Sequence, residues 1–178
     1  MGHNDRVFQF LKLMSSFVSN ETTTYLEEHG FFTAPASTKY HGSCKGGLFE
    51  HSLEVARVLT KLTNANDLKW QRSESPLIVG MFHDLCKMDA YTKQELLDTG
   101  VHYEYNKETL FKGHGDKSVI MLSSLMKLTE EEVACIRYHM GAFTDKEEWS
   151  DYTRAVRLYP NVLWTHHADM IASHVKGV

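Results

Sequence analysis

The sequence predicts an all-α protein with one small β-hairpin. Only three prolines occur in 178 residues, and long stretches carry apolar side chains three and four positions apart, the spacing of one helix face. Residues 90–112 instead alternate apolar with polar side chains, which is typical of β-strands. No internal repeat, low-complexity tract or Pro/Gly-rich linker divides the chain, so residues 1–178 are expected to form a single domain.

The first third of the chain is predicted to hold three helices. Asn4 or Asp5 can cap the first, because both side chains accept hydrogen bonds from free amides at a helix start. Gly30 suits the left-handed position that follows a helix, and it ends the second. A loop over residues 31–47 leads into the third. These helices are expected over about residues 5–19, 22–29 and 48–62.

The remainder alternates between further helices and the hairpin. Ser75-Pro76 places a capping residue before a proline, which favours a helix start. Thr129 and Glu132 have the spacing of a capping box. The hairpin is expected to turn at residues 98–100, which read Asp-Thr-Gly. The helices are predicted over about residues 75–86, 116–126, 130–140 and 162–174.

Composition argues against several classes of protein. The formal net charge is −4 and the isoelectric point is near 6.2, so the bulk charge does not favour a polyanion binder. No apolar run approaches the length of a membrane span, and the N-terminus lacks a signal-peptide pattern. The three scattered cysteines do not suggest a disulfide framework or a zinc finger. These features predict a cytoplasmic protein with no membrane partner.

Histidine is abundant, with 11 residues, as many as glycine. His51, His83 and His139 share helical spacing with apolar residues, so they are expected to face inward. Asp84 follows His83 directly, and Asp169 lies in an apolar run of the last helix. Buried carboxylates and imidazoles are unfavourable unless something pairs with them. Spacing alone leaves two interpretations open: hydrogen-bonded core histidines, or a shared metal ion.

The order His51, then His83-Asp84, then Asp169 resembles the HD-domain superfamily of metal-dependent phosphohydrolases. The resemblance covers about residues 35–175. It is similar to single-domain bacterial or phage members and to the HD domain of YhaM-type 3′–5′ exoribonucleases, whose additional OB domain is not seen here. The matching segments are Gly46-Gly47-Leu48-Phe49-Glu50-His51-Ser52-Leu53, His83-Asp84-Leu85-Cys86-Lys87, Gly113-His114-Gly115, Arg137-Tyr138-His139-Met140-Gly141 and His167-Ala168-Asp169.

The resemblance implies an HD-domain helical bundle, with the core at about residues 35–175 and N-terminal helices at 5–30 packed on it. It also implies one or two divalent transition-metal ions (Mn, Fe, Co, Ni or Zn), which suit mixed imidazole and carboxylate ligands. The implied ligands of the first ion are His51, His83, Asp84 and Asp169. A second ion would be bridged by Asp84 and completed by His114 and His139.

Asp84 and Lys87 are the catalytic candidates. The resemblance assigns Lys87 to the substrate phosphate, where it would neutralise charge on the leaving group. The alternative for Lys87 is a cation at the end of a helix, stabilised by the helix dipole. Asp84 can support proton transfer from the attacking water, although a bridging carboxylate is more often only a ligand.

Further substrate contacts are expected from the loop before the first ligand helix. There His41 and Lys45 could reach a nucleotide, or the loop could be a plain connection. Arg137 could bind phosphate or form a surface ion pair. His166 is close enough to the closing motif to approach the site, whereas His167 is expected to be structural or to support a ligand without binding the metal. The histidines expected on the surface are His3, His29, His102 and His174.

These features predict a metal-dependent phosphohydrolase that cleaves a phosphoester of a nucleotide or related small molecule by metal-activated water. A 3′–5′ exonuclease acting on single-stranded RNA or DNA ends is the alternative enzyme, disfavoured by the net charge of −4 because strand tracking needs a basic groove. A non-catalytic ligand-binding HD signalling domain is a third possibility, disfavoured because all six ligand positions are retained. The sequence does not indicate an oligomeric state.

Overall fold

The computed structural model describes residues 1–96 and 100–178, and it confirms a helical protein with a two-stranded hairpin. None of the helices in this described part is both long and apolar enough to cross a bilayer. The elements are α1 (His3–Met14), α2 (Asn20–Glu28), α3 (Gly47–Ala65), α4 (Ser75–Phe82), β1 (Tyr91–Leu96), β2 (Gly100–Tyr105), α5 (His114–Ser123), α6 (Glu130–Arg137), α7 (Trp149–Leu158) and α8 (Asn161–Met170). Short 3-10 turns lie at Leu85–Met88, Gly141–Phe143 and Lys146–Glu148, and a π-helical segment follows α8 at Ile171–Lys176.

Helices α3 and α4 form the centre of the molecule. Seven of the eight residues of α4 are buried, and Leu77 is the exception. Gly80 allows the two helices to approach closely, since a Cβ at this position would come within 2.4 Å of the Ala56 Cα. The end of α4, which carries the His-Asp pair, is therefore held inside the protein.

The N-terminal helix packs on this pair through aromatic rings. Phe10 of α1 meets Phe31, Phe32 and Phe82 with ring centroids 5.4–6.1 Å apart, mostly edge to face. All four rings are fully buried. Aromatic side chains bury a large apolar area and dominate the energetics of a core. The apolar face of α1 is therefore held on the core mainly by these rings.

A buried arginine adds polar contacts between α1 and the rest of the core. Arg6 donates to the carboxylate of Glu50 on α3 and to the carbonyl oxygens of Phe32 and Lys45. These bonds link α1, the loop after α2 and α3. Because Arg6 is only 6% exposed, its charge is compensated by Glu50 rather than by water.

Both predicted limits of the first helix need correction. Helix α1 begins earlier than predicted, directly after Gly2. Asp5 is not the cap but the third residue of the helix, and its carboxylate accepts a hydrogen bond of 3.1 Å from the Gly2 amide. It also ends at Met14 instead of residue 19, because the Met14 carbonyl accepts from residues 17 and 18 in a turn. The end of α2 is as predicted: Gly30 follows it with φ +90°.

The predicted helix over residues 75–86 is too long. Helix α4 ends at Phe82, and a 3-10 turn over Leu85–Met88 follows. The Nδ1 of the His83 ring donates a hydrogen bond of 2.9 Å to the Gly80 carbonyl. In a continuing helix this carbonyl would instead accept from the amide of residue 84, so the ring takes the place of that amide. Asp84 leaves the helical conformation with φ −104° and ψ 20°. The chain thus turns at the His-Asp pair.

The hairpin is shorter than residues 90–112. Strands β1 and β2 pair antiparallel, with Tyr91 opposite Tyr105 and Lys93 opposite Tyr103. Gly100 begins β2, whereas Asp98 and Thr99 of the predicted turn lie outside the described residues.

The C-terminal half contains one helix that the sequence prediction missed. Helix α7 is polar on average, and Ala155 is its one buried residue, while Tyr152 and Val156 pack partly buried against the core. The capping box at α6 is confirmed: Glu132 donates its amide to Thr129 Oγ1 and accepts from the Thr129 amide. Helix α6 ends at Arg137 rather than 140, and α8 starts at Asn161 and gives way to the π-helical segment rather than continuing to 174.

The domain prediction, a single unit over residues 1–178, can be tested at the aromatic cluster. We expect Phe10→Ala to lower the free energy of unfolding by about 3–5 kcal/mol while unfolding stays a single transition, because α1 would lose its anchor in a shared core. Phe8→Ala on the same helix is the matched control, since Phe8 is 65% exposed and its loss should change stability by less than about 0.5 kcal/mol. Urea unfolding followed by circular dichroism measures both, and two separate transitions would contradict a single domain.

Candidate metal centre

Three segments far apart in the sequence meet at one point inside the protein. His51 lies on α3, His83 caps the end of α4, and Asp169 lies near the end of α8. The His51 Nε2 atom is 3.2 Å from His83 Nε2 and 3.2 Å from Asp169 Oδ1. Asp84 completes this group, with Oδ2 at 3.4 Å from His83 Nε2 and 3.5 Å from His51 Nε2.

The second oxygen of Asp84 faces a different pair of histidines. Its Oδ1 lies 2.6 Å from His114 Nε2 and 3.5 Å from His139 Nε2. Asp84 is therefore placed between two groups of imidazoles, with one oxygen toward each.

A glycine brings the second pair of histidines together. A Cβ at Gly115 would lie 2.0 Å from the Arg137 carbonyl oxygen, so α5 can approach the end of α6 only with glycine at this position. His114 and His139 flank this contact, and their ring centroids are 5.0 Å apart.

Three of the four imidazoles are oriented by backbone carbonyls. The Nδ1 atoms of His51, His83 and His139 lie 2.9, 2.9 and 2.7 Å from the carbonyl oxygens of Val178, Gly80 and Ile136. A main-chain oxygen only accepts, so each Nδ1 carries a hydrogen, and each Nε2 is turned toward the cluster. The Nδ1 of the fourth ring, His114, lies 3.6 Å from the Cys86 Sγ.

The electrostatics of the cluster centre on Asp84. Burial opposes its ionisation, but Lys87, His83 and His114 more than compensate and hold its pKa well below the usual range. Lys87 Nζ lies 2.7 Å from Asp84 Oδ2, and the carboxylate in turn raises the pKa of Lys87 despite burial of the ammonium. Asp84 is therefore ionised at neutral pH, which is the state a metal ligand needs.

The other groups respond to burial and to the same charges. Burial lowers the pKa of His139 below its usual value, and the neighbouring His83 and His114 lower it further. Burial opposes ionisation of Asp169 as well, but its hydrogen bond from His51 and the nearby His83 lower its pKa overall. A neutral imidazole and an ionised carboxylate are both competent ligands.

These residues fit a divalent metal. Three overlapping groups each bring their ligand atoms within 4.8 Å of one another: His51, His83 and Asp84; His83, His139 and Asp169; and Asp84, His114 and His139. Within the described residues, the fully buried His139 Nε2 has no hydrogen-bond partner, which is unfavourable unless the lone pair has another use. Mixed imidazole and carboxylate donors suit transition metals rather than Ca²⁺.

A pocket of about 160 Å³ opens onto this cluster. Among the predicted contacts, His41 and Lys87 line it together with the ligands Asp84, His114 and Asp169. The ring of His41 packs 5.1 Å from the ring of His51. The predicted approach of His166 is also observed, since its ring lines the pocket and its Nδ1 donates to the His139 carbonyl at 2.9 Å.

Sequence reasoning missed part of the pocket wall. Ser173 and His174 line the pocket; His174 is exposed, as expected, but its place at the pocket was not predicted. In a regular α-helix His174 would lie about 140° around the axis from Asp169, five residues earlier. The π-helical segment has a wider turn, with bonds between residues five apart, and therefore brings position 174 back to the same side. Met140 and Phe143 also line the pocket, and no pattern in the sequence distinguished them from ordinary core residues.

Two predicted substrate contacts are not brought to the cluster. Lys45 lines a separate groove of about 690 Å³ between the loop after α2 and the hairpin. Arg137 is paired with Asp116 and Glu148, and it lines a third pocket away from the ligands. The alternative for Arg137, an ion pair, therefore describes the structure.

The remaining histidines behave as surface residues. His3 pairs with Glu27 at 2.9 Å, His29 stacks on Tyr25, and His102 and His167 are exposed. These rings take no part in the cluster.

Comparison with models of known protein families matches residues 48–172 to the HD domain. The match covers well over half of the chain, and all six clustered residues lie within its limits, on either side of the hairpin. The chain belongs to the HD domain family. HD domains are in general metal-dependent hydrolases, and the buried His/Asp cluster of this member is compatible with that chemistry. Neither a search of curated proteins nor one of solved structures found a match, so the similarity to YhaM-type enzymes stays a prediction.

The ligand assignment can be tested by metal content. We expect His83→Ala to lose bound metal, because this ring has contacts with both carboxylates of the cluster. His167→Ala is the matched control, since His167 is exposed and should leave the metal content unchanged. Both proteins are purified without a chelating column, loaded with Mn²⁺ or Co²⁺ and measured by elemental analysis. Full metal content in the His83 variant would refute the assignment.

The carbonyl of Val178 offers a second test, because it orients His51. Removing residues 177–178 takes this acceptor away, and loss of such a supporting contact should weaken metal binding about 10- to 100-fold. Val178→Ala keeps this main-chain oxygen and should bind metal as the unshortened chain does. Competition with a chromogenic chelator measures both affinities, and equal affinity in the shortened chain would show that His51 does not depend on this bond.

Proposed function

We propose that this protein is a metal-dependent phosphohydrolase that cleaves the phosphoester of a nucleotide or a related small molecule. The observation that carries the proposal is the placement of the buried Asp84 carboxylate, with one oxygen facing each group of imidazoles. That arrangement suits one ion or a pair that share the carboxylate as a bridge.

The ligands would be His51, His83, Asp84 and Asp169 for one ion, with His114 and His139 completing a second position. One or two divalent transition-metal ions would supply Lewis-acid polarisation of the phosphoryl group and a water activated for attack. Side chains that line the pocket would bind and orient the substrate.

Lys87 is the group best placed to neutralise phosphate charge. Its ammonium lines the pocket, contacts Asp84 and is 12% exposed, so it can approach an anion with little competing water. The pKa of Lys87 is raised, so the charge is retained at neutral pH. His41 and His166 line the pocket on other sides and are positioned to hydrogen-bond a substrate oxygen.

Phe143 supports a nucleotide as the substrate class. It lines the same pocket and is 67% exposed, so the ring offers a stacking surface at the entrance. A purely non-catalytic ligand-binding role is disfavoured, because all six ligand side chains converge and a lysine stands beside them. A cytoplasmic location remains a prediction from composition.

The proposal predicts metal-dependent turnover that depends on Lys87. We expect the Mn²⁺- or Co²⁺-loaded protein to hydrolyse p-nitrophenyl phosphate, bis(p-nitrophenyl) phosphate or a nucleotide. Lys87→Gln should lower kcat about 100-fold, as removal of one preorganised charge donor does. Metal content is measured alongside, since the Lys87 variant must retain metal for the comparison to hold.

Lys45→Gln is the matched control, because Lys45 lies in a different groove and should leave kcat unchanged. Absence of turnover of all these phosphoesters by fully metal-loaded wild-type protein would sink the proposal. Equal kcat in the Lys87 variant and the wild type would remove Lys87 from the mechanism.

A further inference from the structure

A second groove leads away from the candidate metal centre on the side of His114. Its volume is about 410 Å³, and its wall is formed mainly by the loop over residues 105–113, between β2 and α5. His114 lines both this groove and the pocket above the cluster. The two spaces therefore meet at a candidate metal ligand.

The charged side chains that line the groove are all basic. Lys107, Lys112 and Lys117 contribute to the wall beside His114, and no carboxylate is among its lining side chains in the described residues. Lys117 is buried and paired with Asp89, so its charge is largely compensated. Lys107 and Lys112 are exposed, and neither forms an ion pair within the described part of the chain. This local charge is opposite to the overall net charge of −4.

Aromatic rings accompany the two exposed lysines. Tyr105 is 71% exposed and Phe111 is 39% exposed, and both line the groove. Phe143 stands exposed at the pocket on the other side of His114. Exposed rings next to unpaired cations are the combination that binds successive bases and phosphates of a single nucleic-acid strand.

The loop that carries these residues is held in place by hydrogen bonds. The Asn106 side chain donates to the Asp89 carbonyl and accepts from the amide of Glu108, and the Asn106 amide donates to Ala90. Lys107 therefore extends from an anchored backbone, and this part of the loop does not have to order when a strand binds.

We propose that the substrate continues from the metal centre into this groove, and that it is a short single-stranded oligonucleotide rather than a mononucleotide. This inference rests on the proposed phosphohydrolase function and names its substrate class. The cluster would hold the phosphodiester that is cleaved. Lys107 and Lys112 would contact a neighbouring phosphate, and Phe111 would stack on the base between them. The overall negative charge does not oppose this, because charges beyond about 10 Å are largely screened at physiological salt.

The proposal is tested with two probes of different length on the whole chain, metal-loaded for hydrolysis of the short probe and metal-free for binding of the long one. The short probe is bis(p-nitrophenyl) phosphate, which has one phosphodiester and no neighbouring phosphate for Lys107 and Lys112 to contact. The long probes are fluorescein-labelled hexauridylate and hexathymidylate, whose binding is followed by anisotropy with EDTA present, so that no turnover occurs. Comparing the RNA probe with the DNA probe shows which type of single strand the groove prefers, since both carry the same phosphodiester.

We expect the Lys107→Gln/Lys112→Gln double variant to weaken hexanucleotide binding about tenfold or more at low salt and to flatten its salt dependence. Phe111→Ser should weaken binding about tenfold through lost stacking. Hydrolysis of bis(p-nitrophenyl) phosphate should stay within about twofold of wild type in each variant. Lys127→Gln changes an exposed lysine in the connection between α5 and α6, outside the groove lining; it is the matched control and should change neither measurement.

Unchanged hexanucleotide affinity in the double variant would overturn the inference, as would wild-type binding too weak to detect at millimolar protein. An equal loss in both assays would also overturn it, because the lysines would then act on the centre itself. Failure of the proposed function has a different signature: no hydrolysis of either probe by the metal-loaded wild type, whatever the anisotropy shows.

Discussion

Burial of the Asp84 carboxylate is the constraint on which the rest of the site depends. A carboxylate that is 2% exposed is strongly unfavourable unless both oxygens are surrounded by donors or cations. Here one oxygen faces His51, His83 and the Lys87 ammonium, and the other faces two further histidines. Four segments of the chain must therefore reach the same few ångströms for the charge to be tolerated.

Close helix packing makes this convergence possible. Gly80 lets α4 lie against α3, which brings His83 next to His51. Gly115 lets α5 lie against the end of α6, which brings His114 next to a second histidine. Larger side chains at either glycine would push the helices apart and separate the ligand atoms, so packing in the core and geometry at the site are one requirement.

The surface beside His114 is locally positive, although the net charge of the chain is −4. Arg137, next to the family motif, is neutralised by Asp116 and Glu148, whereas two exposed lysines concentrate positive charge on one side of His114. A net charge is a sum over the whole surface, while a bound phosphate responds only to charges within about a Debye length. The groove beside the centre can therefore attract an anion on a protein that is acidic overall.

The sequence by itself determined the helical class and most helix positions, because periodicity is a local property of the chain. The six residues of the cluster were expected through the resemblance of the ordered motifs to a known family. It did not determine where helices stop: α4 ends at Phe82 because the His83 ring bonds the Gly80 carbonyl, a contact no periodicity reports. Only the tertiary structure decided which other residues surround the cluster. His174 joins the pocket wall because a π-helical segment shifts its direction, and Lys45 lies elsewhere because its loop packs toward the hairpin. Those placements depend on contacts between distant segments, which adjacent residues do not encode.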